Sequence, residues 1–266
     1  MSSYVGKHAE LYDLFYADKD YVGEAAFVHE CLQQHAQTRP GDLLEIACGT
    51  GRHSFELEKL GYRILATDYS EDMLRCARDN AARLGSSVEF LQQDMRALDL
   101  KGRTFDAAVC LFDSIGYVRT NDAIRRVLDG VWRHLRQDGL FLLEFWHAPA
   151  MLRNYDPVRT RSWRTAQGEI VRVSRTTLDI EQQTADVAYT IYDLRQDGSY
   201  ARLDETQTNR YFLIQEMALH LALNGFNPLT WFAGFSGTNP IAEDTWHIVA
   251  LARKVPRTGG IDLKGT

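Results

Sequence analysis

Two glycines and one aspartate are spaced so that a strand-to-helix turn and the end of the next strand would place them around one ligand. Gly49 and Gly51 lie within the string CGTG, directly after an apolar run. Asp68 follows a second apolar run, roughly twenty residues after the turn. A turn without side chains lets a ligand lie against the backbone, and free N–H groups at the start of the next helix bind anions. An acidic group at the second strand's tip accepts hydrogen bonds from both hydroxyls of a ribose.

The elements around these residues form one β-α-β pattern. Residues 43–47 are an apolar run that is typical of a buried strand. The helical segment that follows the glycines ends at Gly61, which fits a helix C-cap. Residues 64–66 form a second buried strand, and Asp68 lies at its end. Such units are right-handed by default, which brings the turn and Asp68 into one unit.

The cofactor follows from Glu45 and from the third position of the glycine motif. A dinucleotide site requires G-x-G-x-x-G, but Ser54 occupies the third position here. Glu45 lies inside the strand and gives the string EIACGTG. This string resembles motif I of class I S-adenosylmethionine (SAM)-dependent methyltransferases. The resemblance implies SAM as cofactor, S-adenosyl-L-homocysteine as product, and an α/β fold with a Rossmann-like seven-stranded sheet.

Further positions match the cofactor contacts of that family. Asp94 and Met95 follow a third strand, where methyltransferases place an acid that binds the adenine amino group and a neighbour whose backbone meets the ring. Leu111, at the end of a fourth apolar strand, or the adjacent Phe112 would cover one face of the adenine. The predicted cofactor-binding residues are Ala47, Gly49, Gly51, Asp68, Asp94, Met95 and Leu111.

The side chains that would contact the methyl acceptor need not include a dedicated nucleophile. Methyl transfer from a sulfonium is an in-line displacement, so the protein mainly holds the acceptor at roughly 3 Å from the methyl and excludes water. An amine must react in its neutral form, and a nearby phenol, carboxylate or imidazole could orient it or take its proton. The candidates for this role are Tyr12, Tyr16, Tyr117 and His147.

Two strings resemble a narrower group, the sugar-amine N,N-dimethyltransferases, which dimethylate amino sugars attached to nucleotides. They are ELYDLFYADKDY at residues 10–21 and SIGYVRT at residues 114–120. The resemblance implies that Tyr117 lies near the transferred methyl and favours a helical lid over residues 1–40, although packing against the sheet explains the tyrosines there equally well. We therefore predict methyl transfer to a small molecule, above all an amine on a sugar or a similar metabolite.

The rest of the chain indicates a core with one insertion. Residues 41–150 fit a SAM-binding core, and residues 213–254 fit a helix and a hairpin that complete the sheet. Between them, residues 151–212 alternate apolar and polar positions with turn signals, which predicts three or four antiparallel strands that cover the acceptor or form a dimer surface. Residues 255–266, rich in glycine and with little apolar content, predict a mobile tail.

Composition narrows the partners and leaves two alternative functions. The net charge of −6 argues against nucleic acid, and no apolar run approaches the ~18 residues of a membrane span. No signal peptide is apparent, and the scattered cysteines lack metal-ligand spacing, which indicates a cytoplasmic protein without a metal. A homodimer is possible. The alternatives are an NAD(P)-dependent oxidoreductase, which shares the glycine turn and Asp68, and a non-catalytic module that binds SAM or dimerises.

Overall fold

The computed structural model describes residues 6–257 and contains two separate β-sheets. The α-helices of this part of the chain are α1 (Lys7–Phe15), α2 (Tyr21–His35), α3 (Arg52–Lys59), α4 (Glu71–Leu84), α5 (Asn121–His134), α6 (Ala148–Asn154) and α7 (Ile214–Leu223). The strands are β1 (Asp42–Ile46), β2 (Arg63–Asp68), β3 (Glu89–Gln92), β4 (Phe105–Cys110), β5 (Leu135–Trp146), β6 (Val158–Thr165), β7 (Gly168–Asp179), β8 (Thr184–Arg195), β9 (Tyr200–Arg210), β10 (Phe226–Ala233) and β11 (His247–Lys254). No helix within these residues is long and apolar enough to cross a membrane.

The larger sheet has seven strands in the order β10-β11-β5-β4-β1-β2-β3. Strands β1 to β5 pair in parallel, whereas β11 is antiparallel to both β5 and β10. The chain first builds the sheet outward from β1 to β3 and then returns to place β4 on the other side of β1. Ligands of open α/β sheets bind at such a reversal, outside the carboxyl ends of the strands. The sheet confirms the predicted seven-stranded fold.

The smaller sheet is the predicted antiparallel insertion and has four strands in the order β6-β7-β8-β9. At one end its apolar residues Ile170 and Ile191 pack against Phe15 of α1. At the other end Ala185 packs in a cluster with Ala148 and Met151 of α6. The insertion is therefore held against the core at two places, and its edge strand β9 lies between them.

The N-terminal helices are attached to the glycine turn by polar contacts. The Thr50 hydroxyl donates to Asp13 of α1 at 2.7 Å, and the Asn80 amide of α4 donates to the same carboxylate at 3.0 Å. Glu24 of α2 lies 2.7 Å from the His53 imidazole at the start of α3. Helices α1 and α2 thus lie directly over the turn that the sequence assigned to the cofactor.

The predicted mobile tail begins inside the described part of the chain. The Val255 N–H donates to the Gly225 carbonyl at 2.9 Å. The Arg257 guanidinium lies 4.3 Å from the centre of the Trp132 ring and donates to Asp129 at 2.7 Å. Residues 258–266 of the predicted tail lie outside the described residues.

Gly116, in the turn that follows β4, lies against β9 of the smaller sheet. Substitution of this glycine tests how closely the insertion packs against the core. A Cβ added to Gly116 would lie 2.8 Å from the backbone oxygen of Arg210 in β9. We expect Gly116→Ala to lower the free energy of unfolding by about 1–3 kcal/mol, because the strand must shift to admit the methyl group. Urea denaturation measures the change.

Gly237→Ala is the matched control for that substitution. An added Cβ at Gly237 meets no described atom within 4 Å, so its effect should stay within about 0.5 kcal/mol. Equal stabilities of the two variants would contradict the close approach of β9 to the turn at Gly116.

Candidate active site

A cavity of about 470 Å³ opens at the carboxyl ends of the central strands. Its wall includes Ala47 after β1, Asp68 at the end of β2, Gln93 after β3 and Phe112 after β4. This is the place where the strand order reverses, and the volume is that of a ligand pocket, ~300–1,000 Å³. Of the predicted site residues, the cavity wall contains Tyr12, Ala47, Gly49, Asp68, Asp94, Met95 and Tyr117.

The two glycines of the turn have different roles. Gly49 has a φ of 57° and lies in the cavity wall, where an added Cβ would approach the Met73 side chain to 3.2 Å. Gly51 has a φ of 79°, and an added Cβ would lie 2.9 Å from the Phe90 ring. Both positions favour glycine because of their left-handed backbone. Gly51 shapes the turn against the core, whereas Gly49 borders the space for a ligand.

The Asp68 carboxylate is fixed by the backbone on both sides. One oxygen accepts the Gly49 N–H and the other accepts the Ser70 N–H, each at 2.8 Å. Burial raises the pKa of the Asp68 carboxyl, and these two hydrogen bonds oppose the rise. A carboxylate has about four acceptor positions, so Asp68 can hold the turn and still accept hydroxyl groups from the cavity.

The predicted adenine end carries an ion pair that the sequence pattern did not indicate. Both oxygens of Asp94 are bound by the Arg96 guanidinium, at 2.9 and 2.7 Å, and this contact lowers the pKa of Asp94. Met95 lies beside them in the cavity wall, and so does Phe112. Leu111 instead lines a smaller cavity next to the first. Phe112 is therefore the better placed of the two apolar candidates for covering a ring.

The smaller cavity, of about 30 Å³, lies beneath the glycine turn. Glu45 and Arg52 line it, and the Arg52 guanidinium lies 4.8 Å from the centre of the Tyr21 ring. Glu45 is almost fully buried and accepts a hydrogen bond from Ser54, and burial raises the pKa of its carboxyl. Arg52 at the start of α3 was missed by the sequence analysis, because a residue at that position has no motif of its own.

The wall of the main cavity also carries several hydroxyl groups, and Arg119 lines it as well. Tyr12 and Tyr117 lie there, together with Thr206 and Thr208 of the edge strand β9. Burial raises the pKa of the Tyr12 phenol well above its ordinary value, so this phenol stays protonated at neutral pH. The two threonines were not predicted, because the insertion reaches the cavity only through the tertiary fold.

The remaining two candidates lie farther back. The ring centre of Tyr16 lies 4.8 Å from those of both Tyr12 and Phe112, so Tyr16 supports two residues of the cavity wall from outside it. His147 immediately precedes α6, is 6% exposed, and has its Nδ1 atom 3.0 Å from the Thr245 carbonyl. Burial lowers the pKa of His147. Because β5 ends next to β11, His147 stabilises that corner, and the structure does not bring it to the cavity wall.

A charged network holds the segment that follows β4. The His247 Nδ1 atom lies 2.9 Å from Asp113 and 3.2 Å from Glu144, and a second Glu144 oxygen accepts the Phe112 N–H. Phe112 and Asp113 both have left-handed backbones, with φ of 56° and 54°. Asp113 raises the pKa of His247 to about 11. One possible metal-ligand atom from each of Asp113, Glu144 and His247 lies within 4.8 Å of the other two. In this arrangement the positive charge of the imidazolium lies against both carboxylates.

Known proteins resemble this chain in sequence and in fold. Residues 43–139 match the family model described as a methyltransferase domain. A dTDP-3-amino-3,4,6-trideoxy-alpha-D-glucopyranose N,N-dimethyltransferase of Streptomyces venezuelae is 33% identical over 192 residues, which cover 70% of this chain and 76% of that protein. The putative methyltransferase YqeM of Bacillus subtilis (strain 168) is 29% identical over 203 residues, or 76% and 80% of the two chains. A SAM-dependent methyltransferase structure from Clostridium acetobutylicum ATCC 824 has a TM-score of 0.80 at 23% identity, over 94% and 98% of the chains.

The sheet order and the cavity at its reversal define a Rossmann-like α/β protein with a ligand site at the carboxyl ends of its strands. With the sequence relatives, the assignment becomes specific: the chain belongs to the SAM-dependent methyltransferases, and SAM is its cofactor. The residues present fit this cofactor, because Asp68 keeps free acceptor positions and Gly49 leaves the wall open. Membership of this family favours a methyltransferase over the two alternatives, an NAD(P)-dependent oxidoreductase and a non-catalytic SAM-binding or dimerising module.

The Asp68 carboxylate gives a sharp test of the cofactor site. Asp68→Asn keeps the size of the side chain but turns an amide NH₂ toward one of the two backbone N–H donors. We expect SAM affinity to fall by about 1–3 kcal/mol, measured by isothermal titration calorimetry, because a charged acceptor is lost and a donor is left unpaired. Asp79→Asn, at an exposed position on α4, is the control. Equal SAM affinity in both variants would mean that Asp68 does not hold the cofactor.

The charged network predicts a pH-dependent stability. Because Asp113 raises the pKa of His247, the stabilising effect of its charge is complete below the ordinary histidine pKa of about 6.5 and is lost as the pH rises toward about 11. His247→Gln leaves two buried carboxylates without that charge. We expect a loss of about 2–3 kcal/mol at pH 7 that becomes smaller at more alkaline pH, and it is smaller than for a fully buried pair because the imidazole is 42% exposed.

The loss in His247→Gln should shrink as the pH falls toward 5. One of the two carboxyls then takes up a proton, so the buried negative charge disappears. Thermal denaturation across this pH range measures the trend, and the Asp113→Asn/His247→Gln double variant should show much less of it. A pH-independent deficit would contradict the assigned network.

Proposed function

We propose that this enzyme transfers the methyl group of SAM to the nitrogen of a small-molecule amine, above all an amine on a sugar or a similar metabolite. The observation that carries the proposal is the hydroxyl-rich half of the cavity. Tyr12, Ser114, Tyr117, Thr206 and Thr208 line it. These hydroxyl groups can bind a polar, uncharged group through hydrogen bonds, which suits a neutral amine among hydroxyl groups, and Arg119 adds one cation to the wall.

The other half of the cavity would hold the cofactor in an extended arrangement. Asp68 would accept the ribose hydroxyls, and Met95 and Phe112 would lie against the adenine, with Asp94 near its amino group. The amino-acid end would extend toward Gly49 and the Arg52 guanidinium, whose charge suits a carboxylate. Bound SAM supplies the activated methyl on its sulfonium, so this chain needs to supply only alignment and exclusion of water.

The phenols would orient the acceptor and leave its lone pair free. Tyr12 is protonated at neutral pH, so it can donate or accept a hydrogen bond but does not act as a general base. The amine would therefore arrive neutral and lose its proton to solvent after the transfer. Tyr16 would act only through Tyr12 and Phe112, against which its ring packs.

The names of relatives support an amine acceptor. Three N,N-dimethyltransferases of dTDP-linked amino sugars are 31–33% identical to this chain. The glycine/sarcosine N-methyltransferase of Halorhodospira halochloris is 30% identical over 148 residues. These proteins share an amine nitrogen as the methylated atom in their names, while the rest of the acceptor differs.

Helices α1 and α2 would close the cavity as a lid. They contact the glycine turn through Asp13 and Glu24, and α1 contributes Tyr12 to the cavity wall. The insertion would cover the acceptor through β9. A cytoplasmic location, a homodimer and the absence of nucleic-acid partners stay predictions from the sequence.

An acceptor panel tests the proposed reaction. The enzyme is incubated with SAM and an amino sugar, its dTDP-linked form, glycine, or the matched sugar with a hydroxyl in place of the amine. We expect S-adenosyl-L-homocysteine to form with at least one amine, and mass spectrometry should place the methyl on its nitrogen. Transfer to the hydroxyl sugar with none to any amine would contradict the proposal.

Tyr117 gives a residue-level test of the acceptor side. Tyr117→Phe should leave SAM affinity unchanged and lower kcat by about 2- to 10-fold, the value of one neutral hydrogen bond. Tyr200→Phe is the control because Tyr200 is 65% exposed on β9, and its kcat should be that of the wild type. An unchanged kcat in Tyr117→Phe would remove this phenol from the site.

A further inference from the structure

A hydrogen-bonded chain runs from the cavity into the insertion. The Tyr117 phenol donates to the side-chain oxygen of Gln207 at 3.2 Å. The Gln207 amide nitrogen in turn donates to Glu205 at 2.9 Å. Tyr117 lies in the cavity wall, whereas Gln207 is 4% exposed on the neighbouring strand β9. The insertion therefore reaches the acceptor side through a buried side chain as well as through its edge threonines.

The chemistry of these groups fixes the direction of the chain. An ionised carboxylate only accepts hydrogen bonds, so the Gln207 NH₂ must face Glu205. The amide oxygen then faces Tyr117, and because this oxygen also only accepts, the single phenolic hydrogen must point at it. If the Gln207 amide were reversed, its oxygen would face the Glu205 carboxylate, and two hydrogen-bond acceptors would be in contact. Tyr117 thus turns the acceptor lone pairs of its oxygen, and not its hydrogen, toward other partners.

The backbone holds both ends of this contact close together. Gly116, next to Tyr117, lies so near to β9 that a Cβ would reach the Arg210 carbonyl. The Arg210 guanidinium donates to the Arg119 carbonyl at 3.1 Å, on the other side of Tyr117. Strand β9, which carries Gln207, therefore contacts the residues before and after Tyr117 in the sequence.

We propose that Gln207 and Glu205 are positioning residues that make Tyr117 a hydrogen-bond acceptor for an N–H group of the methyl acceptor. The inference rests on the proposed amine N-methylation. An amine whose N–H is bound by the phenol oxygen has its lone pair directed away from that oxygen and available for attack. The acceptor must then carry a hydrogen on the reacting nitrogen, so primary and secondary amines fit and tertiary amines do not.

A double-mutant cycle tests whether Gln207 acts through Tyr117. Gln207→Leu removes the amide at similar volume, and we expect kcat with the amine to fall by about 3- to 10-fold while the dissociation constant for SAM stays unchanged. In the Tyr117→Phe background, Gln207→Leu should cause no further loss, because its target is already absent. Multiplied losses in the double variant would overturn the proposal.

Two further variants separate positioning from a general effect on folding. Glu205→Gln keeps the size of the side chain but removes the charge that fixes the amide, so its kcat should lie between those of the wild type and Gln207→Leu. Gln182→Leu, at an exposed position in the turn before β8, should have the wild-type kcat. A wild-type kcat for Glu205→Gln would overturn the role of the carboxylate even if Gln207→Leu fails to fold.

The controls distinguish failure of this inference from failure of the proposed function. If the wild type methylates no amine in the panel, the proposed function itself fails. If the wild type methylates a primary amine and its monomethyl product, but Gln207→Leu does so equally fast, only the positioning role fails. A primary amine that receives methyl groups until no N–H remains, with no reaction of a tertiary amine, is the expected pattern.

Discussion

Two backbone N–H groups that donate to one partly buried carboxylate, that of Asp68, fix the geometry on which the cofactor site depends. The Gly49 N–H joins the β1 turn to the end of β2, and the Ser70 N–H joins the same carboxylate to the start of α4. Because this carboxylate is partly buried, loss of either hydrogen bond would leave a polar group without its partner at a cost in stability. Asp68 therefore joins the turn after β1, the end of β2 and the start of α4 at one place in the cavity wall.

The second half of the cavity depends on how the insertion docks. Strand β9 approaches the turn at Gly116 to within backbone contact, and this approach brings Thr206, Thr208 and Gln207 to the acceptor side. The charged network of Asp113 and His247 fixes the other flank of the same segment. Under the proposed function the chain would divide its tasks: the parallel core would hold the cofactor, and the insertion would contact the acceptor.

Local patterns predicted the fold and several residues that line the main cavity. The central parallel strands β1, β2 and β4 are mostly apolar and buried, and Gly49 and Asp68 lie at a spacing that one β-α-β unit enforces. The contribution of the insertion could not be predicted in the same way. Gln207, for example, is 90 residues from Tyr117 in the sequence, and the two meet only through tertiary docking. His147 follows the end of a parallel strand but does not line the cavity. The reason is that it follows β5, which lies beside β11 rather than beside β1.

A structure of the enzyme with bound S-adenosyl-L-homocysteine tests the central claim most directly. The account predicts both ribose hydroxyls within hydrogen-bonding distance of Asp68 and the sulfur atom facing the hydroxyl groups of Tyr117 and Thr206. A ribose that lies away from Asp68, or a sulfur that points away from β9, would contradict it.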